Sequence, residues 1–148
     1  MQKNERKKDE ELLAEIYRNA QLALQSIADI MPQVEDEDVK AELEAQHEEY
    51  ERFSAKAAMI AKNRGIELKE PNPFKKAMMW GSIKMSTLTD NSRSHIADMM
   101  VQGTVMGNTS LRTSAGDMHP DEDEEIYQLV NEMLTREEQF EKKWKEYL

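Results

Sequence analysis

The spacing of apolar residues constrains this chain more than any other feature. Leu13, Tyr17, Ala20, Leu24, Ile27 and Met31 are separated by steps of 4, 3, 4, 3 and 4. That alternation draws one stripe along an α-helix and does not fit the period of two that a strand requires. The same rhythm returns in Val39, Leu43, Gln46, Tyr50, Phe53, Ala57 and Ile60, and again in Ile126, Val130, Met133, Glu137, Phe140, Trp144 and Tyr147. One member of that last apolar row is a glutamate.

Local signals set the expected boundaries. A first helix over about 9–31 ends at Pro32 and the acidic "EDED", and a second over about 37–64 stops at Gly65. In the connection "ELKEPNPF", Asn72 suits a cap and Pro73 a first turn. Phe74, Met78, Gly81, Met85 and Leu88 then predict a short amphipathic helix over 73–86. The Ser/Thr/Asp/Asn-rich "STLTDNS" interrupts the helical pattern, because these side chains compete for the backbone.

A third long helix, 90–115, is expected to turn Ile96, Met99, Met100, Gly103, Met106, Gly107 and Ser110 inward, with the two glycines permitting close approach. Val101 and Val105 form a second stripe on nearly the opposite side, to be covered either as a self-association face or by the short helix 73–86. After "GDMHPDEDEE", whose acidic residues favour a helix N-terminus, a fourth helix runs over 121–147. The whole reads as one all-α domain, residues 1–148: an up-down-up-down four-helix bundle with a short extra helix between helices 2 and 3.

Composition excludes several functions. A net charge of −10 opposes nucleic-acid binding, which requires a field of the other sign. From Ser54 to His95, however, there are eight Lys/Arg against three acidic residues, a basic connection suited to an acidic partner, a lipid headgroup surface or a second copy of the chain. There is no cysteine, hence no disulfide framework or thiolate site. No apolar run approaches the roughly 18 residues of a membrane span, and "MQKNERKKDE" leads into no signal core, so a cytoplasmic protein is expected. Trp80 with Lys75, Lys76 and Lys84 is better suited to a packed arm than to a membrane surface.

One motif invites metal chemistry. Glu44 and His47, in "AELEAQH", have the Glu-x-x-His spacing with which di-iron bundles hold metal. At 100° per residue, His47 lies roughly 70° from the centre of its helix's stripe and Glu44 roughly 130°, so Glu44 points outward. Glu15 and Asp98 fall away from the inward rows of their own helices. Phe140 stands where a second Glu-x-x-His starting at Glu137 would need histidine. His95 and Asp98, one turn apart, read as a surface pair. Glu137 is the sharper feature: aligning the helices from their connected ends puts it in one layer with Tyr17 and Tyr50, with His47 a turn away. A buried carboxyl there needs hydrogen-bond partners and should have a raised pKa.

The paired long helices, the "EAQH" motif and the long connection resemble the ferritin-like superfamily, specifically its small bacterial bundle families. The resemblance implies a ferritin-like fold. Where the metal set is complete, it also implies iron-dependent oxidation chemistry, from which this chain departs on its first, third and fourth helices. The leading expectation is therefore a non-enzymatic bundle without cofactor, pairing as a homodimer and binding a protein or small ligand. The alternative is an iron or zinc protein using His47 and Glu137.

Overall fold

The computed structural model describes residues 2–69, 90–116 and 123–148. Four helices make up these residues: α1 Gln2–Ile30, α2 Glu37–Asn63, α3 Arg93–Ala115 and α4 Glu124–Lys145. The expected short helix over 73–86, and the arm it would form, lie outside the described residues. So does the break between Ser86 and Ser92, apart from its last residues. Asp90–Ser92 are non-helical, and the Ser92 hydroxyl caps α3 through His95 N.

The helix ends follow from side-chain chemistry. A single 3₁₀ turn, Met31–Gln33 with Pro32 in its first turn, closes α1. Asp36 caps α2 by accepting from Val39 N at 3.1 Å, and Asp123 caps α4 by accepting from Ile126 N at 3.2 Å. α2 ends at Gly65, whose φ of +68° is open to glycine without steric cost. Gly65 N donates to Lys62 O and Ile66 N to Ala61 O, the paired bonds of a Schellman motif, and Ile66 packs back on the core. α1 begins seven residues before its expected start, because residues 2–8 are polar helix formers that carry no stripe to announce them.

Side-chain contacts establish the topology. Asn91 donates to Gln33 O, Asn19 to Gly107 O and Ser110 to Glu15, so α1 and α3 are antiparallel. Trp144 meets Gln46, Glu137 meets Tyr50, and Arg64 meets Asp123, so α2 and α4 are antiparallel as well. Helices α2 and α3 therefore start at the same end and run the same way. The order is up-down-down-up, which corrects the expected up-down-up-down. The physical reason is the connection: residues 64–92 need to cover only the length of α2, about 40 Å at 1.5 Å per residue, and have ample chain to do so.

On α2 and α4 the expected stripes are the buried ones: Val39, Leu43, Gln46, Tyr50, Phe53, Ala57 and Ile60 on α2, and Ile126, Val130, Met133, Glu137, Phe140 and Trp144 on α4. On α3 the stripe is displaced. Ile96, Ala97, Met100, Thr104, Leu111 and Ala115 are buried, whereas Gly103 is exposed and Met106 is 64% exposed. α1 is covered on more than one side, since it packs on α2, α3 and α4. Leu12, Ile16, Asn19 and Ile30 are buried beside the expected Leu13, Ala20 and Ile27. Glu15, expected outside, is buried on the α3 side, where it accepts from Ser110 Oγ at 2.5 Å and pairs with Arg18.

Between α2 and α4 the outer seam is ionic: Arg52 and Lys56 reach Glu132 at 3.2 and 3.4 Å, and Arg136 reaches Glu49 at 3.6 Å. Such exposed pairs contribute about 0–1 kcal/mol each. They align the seam; the apolar core carries most of the stability.

Candidate functional site

The sequence marks Glu137 as an anomaly, and the fold places it at the centre. Its neighbours on α4 are the charged or polar Arg136, Glu138 and Gln139, yet Glu137 itself is only 1% exposed. Tyr50 Oη donates to Glu137 Oε2 at 2.9 Å, and Asn19 Nδ2 lies 3.2 and 3.4 Å from the two carboxyl oxygens. The same Asn19 amide donates to Gly107 O at 3.2 Å. Asn108, whose amide donates to Leu134 O at 3.2 Å, completes the surroundings. One layer thus takes a polar group from each of the four helices.

Apolar packing seals this layer. Tyr50 and Phe140 contact with ring centroids 5.5 Å apart and tilted, and Phe53 and Met133 are fully buried nearby along the same two helices. Burial pushes the Glu137 carboxyl up to about 7, against opposing hydrogen bonds from Tyr50, Asn19 and Asn108. Among the described residues, the side chains that act on it are neutral. Burial and the adjacent Glu137 hold the Tyr50 phenol well above its ordinary value.

The members of the expected layer fare differently. Tyr50 and Glu137 meet directly. Tyr17 is half-buried against the core, and Asn19, two residues further along α1, is the α1 side chain that reaches the carboxyl. Asn19 carried no signal in the sequence beyond an uncharged polar side chain next to Ala20. Its partner Gly107 did: a glycine inside a helix marks close approach. A Cβ at Gly107 would stand 2.4 Å from Asn19 Oδ1, whereas one at Gly103 would meet nothing within 4 Å.

The alternative metal pair is not brought together. His47 Nδ1 lies 2.9 Å from Glu51 Oε1 on the partly exposed side of α2, while Glu137 is held inside by Tyr50 and Asn19. Glu44 is exposed. Among the described residues no group of three or more His, Cys, Asp or Glu side chains is placed to hold a metal ion. His95 is half-buried with Nε2 unpartnered, and Asp98 is exposed and accepts from Gln102 instead.

A shallow groove of about 480 Å³ lies on the α2/α4 seam between Arg52, Glu132 and Arg136. On α3, Val105 is 40% exposed and Met106 64% exposed, while Val101 is half-buried and packs on the core. No described helix is long and apolar enough to cross a membrane. Comparison with models of protein families, with curated proteins and with solved structures finds no match.

Proposed function

We propose that this chain is a non-enzymatic helical-bundle module that pairs with a second copy of itself through the outer face of α3. The observation that carries this reading is the absence of charge on that face. Charged residues make up 34% of the chain, yet residues 99–111 contain none. The exposed side of that stretch presents Gln102, Gly103, Val105, Met106 and Thr109. Two copies that each carry a net charge of −10 repel one another, and a neutral apolar face is where they approach at least electrostatic cost. A two-fold contact uses the same patch on both copies. Gly103, with open space beside it, lets the facing helix come close.

The expected result is a concentration-dependent dimer in sedimentation equilibrium, with the dissociation constant raised at least about tenfold by Val105→Asp. A wild-type chain that stays monomeric at high concentration, or an unchanged profile in the variant, sinks this interface. Two antiparallel hairpins joined by one long crossover are also the arrangement of ferritin-like bundles. This supports a ferritin-like architecture for the chain. The chemistry of that superfamily does not extend to this chain with it, since a shared fold does not imply a shared function.

A further inference from the structure

Glu137 is a carboxyl only 1% exposed, and it meets neutral polar side chains from α1, α2 and α3. We propose that the layer of Glu137, Tyr50 and Asn19 is a proton-operated lock on the bundle, closed around the neutral acid and loosened when the proton leaves.

The argument rests on what surrounds the carboxyl. From α2 only the Tyr50 phenol reaches it; His47, Glu49 and Arg52 on neighbouring turns are occupied with Glu51, Arg52 or Arg136, and Glu49 or Glu132 respectively. From α1 it meets the neutral Asn19 amide, while Glu15, one turn earlier, and Arg18, the residue just before Asn19, are engaged with Ser110 and with each other. The α3 side offers Asn108 and the Gly107 carbonyl; the nearest charged residues on that helix, Asp98 and Arg112, bond Gln102 and Glu138. On α4 itself, Arg136 and Glu138 turn outward to Glu49 and Arg112.

Ionised Glu137 would therefore be a buried charge stabilised only by neutral donors. Water can reach it only if α4 moves away from Asn19 and Tyr50. That movement releases Asn19, whose amide also anchors α3 at Gly107. One proton thus couples the packing of α1, α2, α3 and α4.

The sign follows from the raised pKa. The neutral acid is favoured in the folded chain, so its stabilising contribution is complete below the ordinary carboxyl value near 4.5 and is lost as pH rises through about 7.

The test is denaturant unfolding of the full chain, wild type against Glu137→Gln, from about pH 5 to pH 8. The wild-type folding constant relative to the variant should fall on the order of 50–100-fold across that window. In wild-type protein alone, the Glu137 carboxyl carbon should titrate by NMR near neutrality. Amides from Met133 to Phe140 should then exchange faster above that point than base catalysis explains. Parallel stability profiles overturn the lock. So does a carboxyl that titrates at its ordinary value, or one that titrates near neutrality without added exchange on α4. If Glu137→Gln does not fold, the two wild-type measurements decide.

Discussion

Trp144→Ala is expected to lower the unfolding free energy by about 3–5 kcal/mol, the range for removing a large buried aromatic. Trp144 is fully buried at the end of the bundle where the α1–α2 turn and the start of α3 meet. Its indole Nε1–H donates to Gln46 Oε1 at 2.9 Å, and Gln46 is itself 1% exposed, bonding Glu42 through Nε2. Truncation leaves a cavity and strands a buried amide oxygen, which adds a desolvation cost of about 1–3 kcal/mol unless water enters. Trp144→Phe separates the two contributions, since it keeps most of the apolar contact and loses only the donor. Urea unfolding of the three proteins measures both. A cost under about 1 kcal/mol for Trp144→Ala would contradict the packing described at this end of the bundle.

Two glycines on α3, one turn apart, should respond to the same substitution with opposite signs. Gly103→Ala should stabilise by about 0.5–1 kcal/mol, because the site is exposed, helical and open, and alanine costs less backbone entropy. Gly107→Ala gains the same propensity but drives its methyl into Asn19 Oδ1. Asn19 cannot simply swing away, since its amide holds Glu137 and the Gly107 carbonyl at once. Overpacking and the loss of these donors should leave a net cost of about 1–3 kcal/mol. Thermal unfolding of the two variants in the same buffer provides the check, and equal shifts of the same sign would refute the close approach at Gly107. The amide signals of Asn19 should also move in Gly107→Ala and stay in place in Gly103→Ala.

These two glycines mark the boundary of what the sequence could reveal. Its spacing made both look like close-approach positions, because residues 103 and 107 lie on one side of any helix. Which of them faces the neighbour depends on how far α3 is rotated about its own axis. Periodicity alone cannot resolve a rotation of one residue when both flanks of the stripe, Met99 and Met106 on one side and Met100 and Thr104 on the other, are uncharged. On α2 and α4 the opposite faces are crowded with Glu, Lys and Arg, and there the buried rows follow the stripe directly.

The sequence by itself determined the helical class, the stop at Gly65, and the glutamate in an otherwise apolar row of α4. All of these are local, arising from side chains within a turn or two of one another. The tertiary structure decided the rest. It set the direction of α3, because residues 64–92 are long enough to return α3 to either end of the bundle. It brought Asn19 to Glu137 from 118 positions away. It turned Glu15 inward, because α1 is covered by three neighbours and has little free flank. It also kept His47 with Glu51 on the surface of α2, so the spacing that resembles a metal motif does not meet the buried carboxyl. Contacts between distant helices depend on rotation, register and crossover, and none of these is encoded in the spacing within a single helix.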